Sequence, residues 1–383
     1  EPLATLFGPD GTTQFVTELL QGKPLSEALK SQLTSATVQL LEVLQRPANK
    51  IYDKKAAVTP AQYLSCYKRL SENTSSSVSN MHIGHYKASL ESPSLVQMYA
   101  TKMSLPYTHG FNPERWKLVV DVCLPKDEGK YYSHRMRIIR LVESDFNQSL
   151  GMIFARPMGH FMEDTNAYPE MQYGSRDGQM SISAVLNKVL TYDISRMERR
   201  VFATEEKDAI GCYDRVHQAP VSAFLQQMGV SVAALHCVCR TFDEAKHFIK
   251  TSYGLSKRTY QGTREVPLFG AGQGTTGGPF FWLLLFKVIY EAIDPTVRGM
   301  HFASPRGYHS TERLGDAFVD DTVFGVIADY RSSQYEITED HTNEQELEVL
   351  ALLTLLGQQY EKLLHATGGA LNLTKCFWIL MSW

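Results

Sequence analysis

Several features common in other classes of protein are missing from this sequence. No apolar run approaches the roughly 20 residues that a membrane-crossing helix needs; the longest, Pro279 to Ile289, is broken by Lys287. No membrane span is therefore expected. The chain opens at Glu1 without a basic-then-apolar leader, so no signal peptide is expected, and the sequence reads as a fragment of an intracellular protein. Excess charge is absent too, with a net charge of -3, so any nucleic-acid surface must come from local basic clusters. The six cysteines are scattered, apart from His236-Cys237-Val238-Cys239, which lacks the distant second pair that a zinc site requires. Free buried thiols in a reducing compartment are expected. No internal repeat is present.

What is there suits an ordinary folded chain. At 383 residues, two or three lobes around more than one core are expected, and 43% hydrophobic with 21% charged residues excludes wholesale disorder. Phe15, Val16, Leu19 and Leu20 predict a short helix. After Pro24, the stripe Leu25, Leu29, Leu33, Ala36, Leu40 and Leu44 predicts one long helix to about Gln45. Thr59-Pro60 reads as a cap and first-turn proline opening another. The serines from Asn73 to Asn80, with His82 and His85, lack the spacing for zinc or a hydrolase triad. Trp116 to Val122 and His134 to Leu141 read as strands, the second carrying Arg135, Arg137 and Arg140 among apolar residues, where each guanidinium calls for a phosphate or carboxylate partner. Glu143 and Asp145 are candidate local ion-pair partners. Glu344 to His365 predicts a long helix, with Asn343 and Glu346 as its capping box.

The chemistry concentrates in three segments. Gly315-Asp316-Ala317-Phe318-Val319-Asp320-Asp321-Thr322-Val323 puts two adjacent carboxylates inside an apolar run, a costly position unless a cation neutralises them. Such a pair suits a tight turn between two strands. Upstream, Lys207-Asp208-Ala209-Ile210-Gly211-Cys212-Tyr213-Asp214 closes a strand with an Asp, and an aromatic and a second Asp follow. Between them, Gly270-Ala271-Gly272-Gln273-Gly274-Thr275-Thr276-Gly277-Gly278-Pro279 leads into an apolar helix.

In this order and spacing the segments resemble palm motifs of reverse transcriptases of the non-LTR-like retroelement kind: Asp-x4-Phe/Tyr-Asp, a Gln-Gly turn ending in a small residue and Pro, and Phe/Tyr-x-Asp-Asp. The resemblance runs over residues 60 to 383. It implies an α+β polymerase right-hand fold, with fingers and an antiparallel palm sheet backed by helices, and with the thumb absent or incomplete. The implied division is a helical extension over 1–58, fingers and connecting helices over 59–200, and palm over 201–383. Gln172-Tyr173-Gly174-Ser175-Arg176-Asp177-Gly178 resembles the loop before the palm, with Arg176 as a template contact. Gly368 to Cys376 resembles the next palm motif, in which Lys375 lies near the triphosphate.

The resemblance further implies nucleotidyl transfer, in which two Mg²⁺ ions align nucleophile and leaving group, with Mn²⁺ as substitute. Asp208, Asp320 and Asp321 are the implied carboxylate ligands and the Ala209 carbonyl completes the shell. Lys126 and Arg137 are the implied nucleotide-side cations; read without the resemblance, they belong to a solvated basic hairpin. Gln273 and Gly274 face nucleotide and template, and Gly277, Gly278 and Pro279 lie on the template-primer side. Tyr213 stands where a bulky ring collides with a ribose 2′-hydroxyl, which favours deoxynucleoside triphosphates. The implied partners are an RNA template and a DNA or RNA primer. Two alternatives stay open: an RNA-dependent RNA polymerase, against which Tyr213 argues, and an inactive nucleic-acid-binding relative.

Overall fold

The computed structural model describes residues 2–74, 77–132, 135–263, 268, 270–329 and 339–383. Part of the serine stretch (75–76) and His134 lie outside the described residues. The chain is mixed α+β, with the strands β1 (Leu118–Pro125), β2 (Met136–Leu141), β3 (Phe202–Asp208), β4 (Lys246–Thr251), β5 (Gly254–Leu255), β6 (Met300–Ala303), β7 (Ser310–Arg313), β8 (Gly315–Phe318), β9 (Asp321–Ile327) and β10 (Phe377–Met381). They form sheets of order β2-β1-β4-β5 and β10-β3-β9-β8, and the hairpin β6-β7. Two compact units are interleaved in sequence: one holds Glu1–Leu25, Leu44–Thr165 and Tyr213–Leu285, the other Ser26–Val43, Asn166–Cys212 and Phe286–Trp383.

In the first unit, β1 pairs antiparallel with β2 and, on its other edge, parallel with β4. Trp116, expected in the strand, instead ends up in the 3₁₀ turn Glu114–Lys117, because its indole N–H reaches back to the Asp145 carboxylate at 3.0 Å. Trp116 packs against Phe146 in a tilted pair, Phe146 meets Phe242, and Phe242 in turn meets Phe281, so one aromatic chain ties four helical segments together. Arg115 pairs with both Glu143 and Asp145, as the local ion-pair reading expects.

A second polar cluster sits inside this unit's sheet. Asp121, on β1 and only 2% exposed, accepts from His247 Nδ1 on β4 at 3.0 Å and from the Tyr260 hydroxyl. Burial raises the Asp121 carboxyl, but these hydrogen bonds and the His247 and Arg140 charges outweigh it and leave the carboxyl below its ordinary range. Arg140, on β2 directly opposite Asp121, is partly buried and has that carboxylate as its partner, at 4.0 Å.

In the second unit, side chains of β3 and β9 alternate between two faces. Phe202 and Ile327 share one face and, with Met300 and Phe302, pack beneath Tyr192 of the helix Ser181–Met197. Phe324 lies on the other, under Tyr360 of the helix Glu339–Ala366 at 5.0 Å between ring centres. The sheet is therefore covered on both faces, and its ends carry the exposed loops.

Two expectations are corrected. The apolar stripe after Pro24 is not one helix: Glu27–Lys30 ends, and Ser35–Gln45 begins afresh, because the Thr34 hydroxyl accepts the Thr37 N–H at 3.2 Å and caps a new start. Asn343 is not an N-cap, since it lies inside the helix Glu339–Ala366 rather than ahead of it. Other helices follow expectation, including Gln14–Leu20 and Pro60–Arg69, whose Thr59 and Gln62 form a capping box. None of the six cysteines forms a disulfide. Among the described residues no helix is long and apolar enough to cross a membrane.

Because the folded Asp121 carboxyl lies below its unfolded value, it adds stability above the unfolded pKa, and this is lost as pH falls through the folded one. Asp121→Asn should cost about 2 kcal/mol at pH 7, the scale of hydrogen bonds to a charged group. In urea titrations the gap from the parent should narrow progressively once the pH falls below about 4.

Candidate active site

The acidic stretch makes a two-residue hairpin. Phe318 pairs with Asp321, leaving Val319 and Asp320 as the turn, and β9 then runs antiparallel to β3 with Asp321 opposite Asp208. The sheet register therefore brings the sequence-predicted carboxylates to one corner of the second unit. Like charges directly across a ladder repel, and the corner shows it. Burial raises the Asp320 carboxyl, and Asp321 and Asp208 push it further. Burial also raises Asp321, helped by Asp208 and Glu206 and opposed by Lys375.

Asp208 is held from its other side by the segment before β10. Ile210 N–H donates to Ala370 O at 2.8 Å and Asn372 N–H to Asp208 O at 2.8 Å, forming a bridge between Ala209 and Leu371. This bridge uses the backbone groups of Asp208 and Ile210 rather than those of Ala209. The Asn372 amide then donates to Asp208 Oδ2 at 3.0 Å, and Lys375 Nζ lies 3.2 Å from the same oxygen. Lys375, expected beside a triphosphate, thus sits on the carboxylate itself. Asn372 was not singled out in the sequence; its position three residues before Lys375, inside the same stretch, was the available signal.

Do these residues fit a divalent cation? Hard oxygen donors crowded at one corner, two of them harder to ionise because of burial and each other, are what such an ion would relieve. Among the described residues no three His, Cys, Asp or Glu side chains are arranged to enclose an ion. Mg²⁺ usually takes only one or two carboxylates and completes its shell with water or substrate phosphates, so the arrangement fits that ion.

The nucleotide-side candidates gather in the first unit. The Gln273 loop is bound to the end of β2: Ile139 and Gln273 form a parallel bridge, Arg140 N–H donates to Gln273 O at 2.6 Å, and Arg140 Nη1 to Gly270 O at 2.6 Å. A Cβ on Gly272 would stand 2.6 Å from Arg140 Nε, so this approach needs glycine. Tyr213 O accepts from Gly272 N–H at 3.1 Å, and its ring lies 3.6 Å from where a Gly278 Cβ would be. Burial raises the Asp214 carboxyl; Arg140, the Gln273 N–H and Lys126 all draw it the other way, so these groups share one neighbourhood. Lys126 and Arg137 are exposed on the β1-β2 hairpin. Gly277 and Gly278 are buried in the first turn of the helix Gly277–Ala292, against Phe281, Leu150 and Tyr213, so internal packing accounts for their small size. Pro279 follows them, half-buried.

Arg176 points its guanidinium inward, donating to Gln172 O at 2.9 Å and Pro169 O at 3.2 Å and lying over the Tyr168 ring. That leaves little of it for a template. The residue the sequence reading passed over is Gln172, 0% exposed, whose side chain reaches the Val319 turn.

Both raised carboxyls subtract from stability near neutrality, a deficit that shrinks as pH falls through their folded values. Asp320→Asn should therefore raise the melting temperature of the ion-free protein, by about 2 °C for each 1 kcal/mol of relieved repulsion. Millimolar Mg²⁺ or Mn²⁺ should raise the melting temperature of the parent and leave that of Asp320→Asn unmoved; differential scanning fluorimetry with and without chelator reads both.

A scan against protein-family models finds no match for this chain, and no curated protein matches it.

Proposed function

We propose that this chain is the fingers and palm of an RNA-directed DNA polymerase of a retroelement, extending a DNA or RNA primer on an RNA template with deoxynucleoside triphosphates. One observation carries the reading: the β3-β9 register sets Asp208 opposite Asp321, with Asp320 in the adjoining turn, from segments far apart in the sequence. A crowded carboxylate corner on strand ends is a costly arrangement for a purely structural site, and it is what two-metal nucleotidyl transfer requires.

In this reading Asp208 and Asp320 hold the ions, with Asp321 beside them. Bound Mg²⁺ would supply charge neutralisation for the attacking and leaving oxygens. The chain's own residues do the remaining work. Asn372 and Lys375 fix the Asp208 carboxylate, and Lys375 supplies a proton source at that corner. Tyr213, whose backbone carbonyl is held by Gly272 N–H and whose ring lies near Gly278, provides the steric check on the sugar. Lys126 and Arg137 offer exposed cations for phosphate oxygens, and the glycine-rich Gln273 loop presents backbone without Cβ obstruction. The right-hand architecture belongs to the same proposal.

Primer extension by the full-length protein with Mg²⁺ on an RNA template tests it. Asp208→Asn and Asp320→Asn should each lower kcat by about 1,000-fold or more, the scale of losing electrostatic stabilisation of the transition state. Extension that survives both substitutions would sink the assignment. Tyr213→Val should raise ribonucleotide use relative to deoxynucleotide use by about tenfold or more, about 1.4 kcal/mol or more of discrimination; unchanged discrimination in the same assay removes the steric check.

A further inference from the structure

We infer that Gln172 is the positioning residue of the acidic turn, holding Val319 in a left-handed conformation that sets the direction of Asp320 and Asp321. The inference rests on the reading of those carboxylates as working groups.

The turn itself calls for such a device. In a two-residue hairpin connection with positive φ at its first position, glycine is the ordinary occupant. Here the position is Val319, at φ 60°, a β-branched residue for which that region is a true outlier. Left alone, a valine would favour negative φ and carry the following residues to a different orientation. Something must hold it.

The Gln172 carboxamide does so from both sides of one residue. Its Nε2 donates to Val319 O at 3.0 Å, and its Oε1 accepts Val319 N–H at 2.9 Å. Binding the N–H and the C=O of the same residue fixes both peptide planes that flank its Cα, and so fixes its φ and ψ. The same Oε1 accepts Gly174 N–H at 2.9 Å. Gln172 is itself anchored: Ala317 N–H donates to Met171 O at 2.6 Å and Tyr173 N–H to Ala317 O at 2.8 Å, a single parallel bridge that ties the loop to β8. Arg176 closes this loop from within through Gln172 O. A Cβ on Gly174 would fall 2.3 Å from Val319 N, so only glycine lets the loop approach closely enough for the carboxamide to reach.

No other side chain of similar size does the same. Glutamate lacks the donor for Val319 O and adds a fourth negative charge near the corner; methionine has neither partner; asparagine is one methylene short.

The full chain is used for the test. Gln172→Met should lower kcat for primer extension about 10- to 100-fold, the scale of a displacement near 1 Å at a reacting centre, with KM for the nucleotide within about twofold. Val319→Gly needs no clamp, because glycine adopts positive φ freely. Added to Gln172→Met, it should restore kcat to within about threefold of Val319→Gly alone. Retained kcat in Gln172→Met, or a loss that Val319→Gly leaves unrepaired, overturns the inference. Gln172→Asn provides the same comparison if the methionine variant fails to fold. Two further readouts separate this from the polymerase reading: Mn²⁺ affinity measured by electron paramagnetic resonance, and amide exchange at Val319. Gln172→Met should weaken Mn²⁺ about tenfold and speed that exchange even if the parent extends no primer, an outcome that sinks only the polymerase reading. Unchanged affinity and exchange overturn the clamp whatever the enzyme activity.

Discussion

Crowding of negative charge at the end of one strand pair is the constraint to which the second unit answers. Antiparallel pairing of β3 with β9 is favourable along its apolar length, where Phe202 meets Ile327 and Ala203 meets Val326. At its last rung the same pairing forces Asp208 against Asp321. The apolar part of the ladder therefore holds the acidic part together against its own repulsion, and burial between two helices keeps the strands from parting. Lys375 and Asn372 relieve part of the repulsion at Asp208, while Asp320 and Asp321 keep carboxyls that are harder to ionise than usual. An apolar pair would be more stable in the same place.

Side-chain amides and guanidinium groups bonded to loop backbone recur in both units. Irregular loops have no ladder to satisfy their peptide groups. Arg140 reaches Gly270 O in the first unit, and in the second Gln172 satisfies both groups of Val319. In each case the donor stands on or beside a strand, so the rigidity of a sheet is passed to a loop that lacks its own. Glycine makes the approach possible, Gly272 beside Arg140 and Gly174 beside Val319. The strain at Val319, of order 1 to 3 kcal/mol for a residue held in a sparsely populated region, is thus confined to one turn beside the carboxylates.

Much of this was legible in the residue order. Helix starts with a strong local signal, such as Thr59-Pro60 with Gln62, formed where expected, because capping is decided within a few residues. Apolar periodicity was less reliable: the stripe from Leu25 to Leu44 spans two helices, and what divides them is a single hydroxyl, that of Thr34, bonded to the backbone. The arginines of β2 show a similar limit. Sequence alternation established that Arg140 wanted a partner, but the choice of Asp121 came from strand register, which no local pattern contains.

By itself, then, the sequence determined which segments stand out: a pair of carboxylates inside an apolar run, a glycine-rich loop before an apolar helix, and a tyrosine upstream of both. These are matters of composition and short spacing, and burial of charge is costly wherever it occurs. Only tertiary structure decided how the groups are aimed. Lys375 fell on Asp208, Arg176 turned inward, and Gln172, marked in the sequence only as the start of a loop, took hold of Val319. The first and last depend on contacts between residues remote in the chain, and the Arg176 contacts on how one loop folds back on itself, geometry set by sheet register and backbone dihedrals rather than by the identity of neighbouring residues.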